Sequence, residues 1–422
     1  MAALLDSLAT LAAGVPDGRW PRVREWRAAA LAQALRLGFP HNKLERWRHA
    51  PLRPLAAKAF MAETAAADVD AAALPPAPRL VLVNGRFNAG LSDVTALPGL
   101  QVRSLAEALQ GDDERAVAVL GRVFTDADGP FAALNTALAE DGLLIEVPAD
   151  AVFDAPLHLV LLQTADARGA QALRHKIECR DNSRLQVIEH HLGAGQALDN
   201  QLCHVHLKPG SRLTHVRLQD LGPAHTGIHR CDAVVAGDAE YVRLDVDAGG
   251  HYLRHELHIA LQGRGARARA GGVLWGEGSG NLDTRLEVRH QAPDTACQLP
   301  WRGLADGKSR VSFYGGITID AGADGSDAAL SNKNLLLGPQ AQVNTQPALE
   351  IYADEVKAAH GATVGQLDAA ALFYLRSRGV PEREAVAMLT RAFYAEALAV
   401  LDGDLREAVR SYLPARLRAE EA

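Results

Sequence analysis

Apolar positions change their spacing twice along this chain. Between Arg22 and Leu37 they fall at Val23, Trp26, Ala30, Leu31, Ala34 and Leu35. That spacing lines one face of an α-helix, and Gly38 and Pro40 end the run. An Ala- and Pro-rich stretch from Ala65 to Pro78 follows, and then Leu80-Val81-Leu82-Val83 before Asn84-Gly85 predicts one short strand and a turn. Helices return after it. Ser104 and Asp112 are N-cap residues for two short ones, and Gly129-Pro130 opens a third that ends near Asp141-Gly142. Residues 1–142 read as a mostly helical N-terminal domain.

From Leu143 the pattern becomes short alternating or wholly apolar runs, which predict strands: Leu157 to Leu162, Leu185 to Ile188, Leu202 to Leu207 and Tyr241 to Val246. Polar turns of one form separate many of them, at Arg180-Asp181-Asn182-Ser183, Lys208-Pro209-Gly210-Ser211, Ala236-Gly237-Asp238-Ala239 and Gln262-Gly263-Arg264-Gly265. Equivalent turn residues stand 28, 27 and 26 apart, and turns at Asp306-Gly307 and Gly338-Pro339 fit less evenly, 44 and 31 further on. A period in the twenties built of strands is that of coils stacked into a solenoid. A large β-sandwich is the rival, and the period alone leaves that choice open.

Helical spacing resumes at Asp368, an N-cap for a helix through Leu372, Phe373 and Leu375, with Gly379 at its C′ position and Pro381 in the first turn of the next. Val386, Leu389, Thr390, Phe393, Ala397 and Val400 form one face of that second helix. Leu372, Leu375, Val386, Leu389 and Phe393 are the expected core of this hairpin, which leaves Tyr374 and the arginines outside. Gly403 ends the second helix, and a last one runs to about Leu413. The strand-rich core is thus expected over 143–350 and a helical C-terminal domain over 351–422.

Composition narrows the class. At 422 residues and 48% hydrophobic, the chain supports two or three packed units. The charge of −7, with 44 basic and 51 acidic residues spread along the chain, offers no cationic stripe for a nucleic-acid backbone. Nowhere do about 18 uncharged apolar residues run together, so no membrane span is expected. Asp6 interrupts the apolar start and no basic segment precedes it, so no signal peptide is expected and the protein reads as soluble and cytoplasmic. Cys179, Cys203, Cys231 and Cys297 lie far apart with no C-x-x-C pair, the pattern of reduced cytosolic thiols.

Several segments imitate chemistry. Gly303-Leu304-Ala305-Asp306-Gly307-Lys308-Ser309 has one residue too few between its glycines for a P-loop, and it leads into the strand-like Arg310-Val311-Ser312-Phe313-Tyr314 instead of a helix. Gly276, Gly278 and Gly280 likewise lack the spacing of a dinucleotide fingerprint. His204 with His206 would share one strand face; His225, His229 and Cys231, and His251, His255 and His258, are looser metal candidates without a second ligand pair at a recognised spacing. Asp283, Glu287 and Asp294 would serve a carbohydrate-active enzyme on a β-helix, the alternative reading of the whole chain, if two of them stood at a working separation.

The most specific segment runs from Leu335 to Ala385. It contains Thr345-Gln346-Pro347-Ala348-Leu349-Glu350-Ile351, then Val356-Lys357-Ala358-Ala359-His360-Gly361-Ala362-Thr363, then Leu372-Phe373-Tyr374-Leu375-Arg376-Ser377-Arg378-Gly379. It resembles the carboxyl-terminal signature of the SufB/SufD family, with the His-Gly-Ala-Thr form of the SufD branch. Glu45-Arg46-Trp47-Arg48-His49-Ala50-Pro51-Leu52 resembles a weakened form of that branch's amino-terminal Glu-x-Trp-Lys-Tyr-Thr motif. The resemblance implies a right-handed parallel β-helix core flanked by N- and C-terminal helical domains. It implies a non-catalytic scaffold for iron–sulfur cluster assembly, with one SufB and two copies of the ATPase SufC as partners, and pairing with itself as a possibility when alone. A transient cluster would form at the SufB interface, with His360, read as lying in a turn, as a ligand. Phe373, Tyr374, Arg376, Arg378, Gly379 and Pro381 match the region that docks SufC. Ala358 stands where many relatives carry a cysteine, and the resemblance leaves open a flavin on the assembled complex.

Overall fold

The computed structural model describes residues 3–50, 52–64 and 68–418; Met1, Pro51 and Ala65 to Ala67, which enter the readings above, lie outside the described residues. Strands alternate between two sheets, so that each coil of the chain contributes one strand to each. A nine-stranded front sheet ends in Gln342–Ile351 and a ten-stranded back sheet ends in Lys357–Gly365, and every pairing from Leu143–Val147 onward is parallel. The core is therefore a parallel β-solenoid of about eight coils, and the sandwich is excluded. It continues past residue 350 to Gly365, so helix begins only at Ala369.

The turn period has a conformational cause. One residue per coil takes the left-handed backbone at the same corner: Asn182, Gly210, Asp238, Gly265, Asp294 and Gly325, with φ between 54° and 75°. Asn, Asp and Gly are the residues that reach this region cheaply. Amides climb the corner as a ladder, Asn182 donating to the Pro209 carbonyl at 2.9 Å and Asp238 to that of Arg264 at 3.0 Å. The turns at Asp306-Gly307 and Gly338-Pro339 lie at the opposite corner, between the back strand and the next front strand. That offset, and the passage over Asp294, produce the uneven 44.

Inside, side chains stack in columns, because successive residues point to opposite faces and the register is held from coil to coil. One column reads Leu185, Leu213, Tyr241, Ala268, Cys297, Ala328, Ala358. All but Ala358 are buried within the main apolar core.

Both outer faces are covered over much of their length. The N-terminal helices, with Trp47, Phe131 and Leu134, pack on Leu198, Ile228 and Tyr252 of the front sheet. Strands of the same region finish the solenoid's first end: Arg79–Val83 pairs in parallel with Leu157–Gln163, followed by a turn with Asn84 and Gly85 both at positive φ, and Gln101–Ser104 pairs with Leu143–Val147. Ser104 caps its helix in a capping box with Glu107, whereas Asp113, one residue beyond the expected Asp112, caps the next. On the back sheet, Tyr394, Ala397, Leu398, Val400 and Leu401 pack over Val216, Val242, Leu244, Val246 and Val273. The helix Ala369–Ser377 buries none of its residues, and Leu372, Leu375, Val386, Leu389 and Phe393 are only half-buried. The expected hairpin core is thus replaced by a core between the longer helix and the sheet. No helix among the described residues is long and apolar enough to cross a membrane.

Candidate functional site

The two ends of the solenoid differ. Additional strands pair onto the first end, but Gln342–Ile351 and Lys357–Gly365 each have a neighbour on one side only. Two edges, 10 and 9 residues long, therefore present unpaired backbone donors and acceptors side by side. Ile351, Tyr352 and Val364 are exposed beside them. An open edge with apolar side chains is a surface that another chain's strands can continue.

His360 lies in the terminal strand, not in a turn as the sequence suggests, and it is exposed. It stacks on Leu330, which stacks on Leu299, so its imidazole occupies an inward-facing column at the last rung, where no further coil covers it. Ala358 is half-buried two residues before it on the same face. The other expected positions follow it in sequence, on the uncovered helix Ala369–Ser377 and in the turn after it. Phe373 is 73% exposed and Tyr374 58%. The Arg378 guanidinium stands 5.1 Å from the centre of the Tyr374 ring, and Arg376 pairs with Glu382 at 3.2 Å. Gly379, at φ 89°, turns the chain so that Pro381 and the next helix follow. Arg376, Arg378, Gly379 and Pro381 are exposed as well.

The amino-terminal motif acts as a clamp. Trp47 is buried, with the Arg254 guanidinium 3.8 Å above its ring and Phe131 beside it. Arg46 reaches Glu256 at 3.1 Å and Glu287 at 3.4 Å, while Gln346 of the open front edge donates to Glu45 at 3.2 Å. This packing ties the helical domain to coils more than 200 residues away.

Several sequence candidates resolve as structure. Both ring nitrogens of His204 face guanidinium groups, Arg174 at 2.9 Å and Arg122 at 3.0 Å, an environment hostile to a cation. Asp283 is tied to Arg254, Glu287 to Arg285 at 2.6 Å and Asp294 to Arg264 at 2.6 Å, so the three carboxylates do not form a pair free for glycoside chemistry. The P-loop-like segment is a tight turn before a strand, in which Gly307 donates its amide to Asp306. Burial pushes the Cys179 and Cys297 thiols up to about 12, and all four cysteines are free. Such thiols are poor nucleophiles. What composition did not reveal is a polar chamber within the solenoid, where His175, Glu189, His215, Arg217, His229, Arg243 and His255 line a cavity of about 20 Å³.

Comparison with known proteins supports the same reading. Residues 161–393 match the family model described as SUF system FeS cluster assembly, SufBD core domain, and residues 14–159 match the SufBD protein N-terminal region. The iron–sulfur cluster assembly protein SufD of Escherichia coli is 31% identical over 398 residues, 92% of this chain and 91% of the relative. A SufBD family protein of Synechocystis is 30% identical over 408 residues, 90% and 89% of the two chains. One from Mycobacterium tuberculosis is 28% identical over 314 residues, 72% and 77%. A family core matched over the solenoid, on a chain whose last coil carries the His-Gly-Ala-Thr strand, leads to one conclusion: the chain belongs to the SufBD family of iron–sulfur cluster assembly proteins.

Proposed function

We propose that this chain is a cytoplasmic, non-catalytic scaffold subunit of an iron–sulfur cluster assembly complex, and that its open end pairs with a SufB-like subunit. The observation that carries the reading is the position of His360, exposed on the last rung of the solenoid between two unpaired edges. Strands of a partner that continued those edges would bring the partner's own ligands next to the imidazole. A neutral imidazole holds iron more weakly than a thiolate does, which suits a cluster that must be handed on. The cluster is cargo here, and Ala358 adds no ligand to it. Pairing of two identical open ends would give a homodimer in the absence of the partner.

Coexpression with SufB-like and SufC-like proteins, followed by copurification and assays of iron, sulfide and flavin, tests the complex as a whole. The His360→Ala variant is expected to copurify normally, since the side chain is exposed, and to lower cluster formation. Maturation at the wild-type rate in that variant would remove the ligand role.

The uncovered helix Ala369–Ser377 is the proposed dock for the SufC-like ATPase. Phe373, Tyr374, Arg376 and Arg378 are the aromatic and guanidinium groups enriched at interface hot spots, and Gly379 with Pro381 sets their presentation. Arg378→Glu and Tyr374→Ala are each expected to weaken ATPase binding by about 1–3 kcal/mol in titration calorimetry while leaving the melting curve of the free chain in place. Unchanged affinity in both would place the dock on another element.

A further inference from the structure

The chamber inside the solenoid carries an imbalance of charge. Its inward-facing ionisable side chains are the carboxylates of Glu189, Asp199, Asp245 and Asp247 against the guanidiniums of Arg217 and Arg243, all six buried. Unbalanced buried charge is costly, so a chamber of this composition favours uptake of a cation.

The atoms that would receive one are in place. His191 donates its Nε2 proton to Glu189, whose second oxygen accepts from His215 Nε2 at 2.7 Å. This leaves the His191 Nδ1 lone pair, which has no protein partner. A carboxylate behind an imidazole is the usual support of a metal-binding histidine. Asp199 accepts at Oδ2 from Gln201 at 2.6 Å and from His229 Nε2 at 3.2 Å, and its Oδ1 also has no partner. Ligand atoms of His191, Asp199 and His229 lie within 4.8 Å of one another. Gly227, the residue in register with Asp199, makes the room: a Cβ there would stand 3.1 Å from His229 Nε2. His225, fully buried with both ring nitrogens unpartnered, interacts electrostatically with all three.

We propose that His191, Asp199 and His229 hold a divalent first-row metal ion of the zinc class inside the solenoid, a site separate from His360. Two imidazoles and a carboxylate are a donor set for such ions, and a charge of +2 offsets the excess of two carboxylates. For His229 to join, its proton moves from Nε2 to Nδ1. Arg217, which now donates to that Nδ1 at 2.6 Å, turns to Asp247 and to Gln219, whose Oε1 is 2.7 Å away. No proton is lost in this step. Gly85 and Gln171 stand between a surface pocket of about 240 Å³ and the small cavity next to His191 and Asp199, lining both.

The test is metal content by plasma mass spectrometry of the full chain purified after growth with added zinc, and the visible spectrum after loading with Co²⁺. About one ion per chain is expected, with a histidine-type cobalt spectrum lacking a thiolate band. His191→Ala and the isosteric Asp199→Asn should lose the ion, Glu189→Gln should weaken binding about 10–100-fold, and His360→Ala should keep it. Circular dichroism checks that each variant is folded. Should a variant fail to fold, the wild-type cobalt spectrum decides. A metal-free wild-type chain would overturn the site, as would a thiolate band implicating Cys203 and Cys231, or loss of the ion in His360→Ala.

Discussion

Stability should be greatest above about pH 7 and should fall steadily as the pH drops from about 6.5 toward 4. The cause is a set of histidines buried in neutral form: burial lowers His158, His175 and His290 to about 4 and His190 to about 3. Their folded values lie below the unfolded value near 6.5, so between those limits the unfolded chain binds more protons and acid favours it. Each such group costs at most about 1.4 kcal/mol per pH unit across its window. Asp141 and Asp283, raised by burial, work in the opposite sense and offset part of the loss at the acid end. His158 and His190 also have a structural role. They share a hydrogen bond of 2.9 Å and pack under Tyr412, each ring centre 5.2 Å from the tyrosine ring, so protonation should release the last helix from the back sheet early. Thermal melts between pH 8 and 4.5 check this, and His190→Gln should flatten the slope. A melting temperature that stayed constant from pH 7 to pH 5 would contradict it.

Trp301→Ala is expected to cost about 3–5 kcal/mol and to open the solenoid from its free end. The indole is wholly buried, donates to the Ala270 carbonyl at 3.0 Å and packs on Phe313 at 5.2 Å. It fills the space left by Gly272, where a Cβ would come within 2.2 Å of its ring. Truncation therefore removes a large apolar group and one hydrogen bond, and leaves a cavity. In a solenoid each coil is held chiefly by its neighbours, so the damage should propagate toward the end that has only one neighbour. Hydrogen exchange should accelerate in Arg310–Ile319 and Lys357–Gly365 and stay slow in Ala170–Cys179 and Leu198–Leu207. Equal acceleration everywhere would show that the coils unfold as one unit. Because His360 lies beyond Trp301, the same variant should also lose the open edge that carries it.

Helices at both ends of the chain were legible because helix periodicity and caps are local: the Pro21–Leu37 helix stops at Gly38, and Asp368 caps the helix that follows it. The repeat was legible for a similar reason, since every coil needs one Asn, Asp or Gly at its left-handed corner. His360 was misplaced in a turn because Gly361 follows it, yet in a terminal strand the pleat accepts glycine where nothing packs on that face. The core of the last helices was also misassigned. Period fixes a stripe on a helix, but the surface it meets selects the residues: Ala397 and Val400 of the expected face are buried on the back sheet with Phe393 packed beside them, while Tyr394 and Leu398 join from outside that face and Leu389 stays only half-buried.

Alternating apolar positions and a turn period determined that this protein is built of short, regularly spaced strands between helical ends, because those patterns follow from backbone geometry. Tertiary structure decided the remainder: that the coils close at one end and stay open at the other, that His360 stands on the open rung, and that His191, Asp199 and His229 meet. The last of these joins residues from three different strands. Their distance depends on register between coils, and register is fixed by the packing of the whole interior, which no local pattern contains.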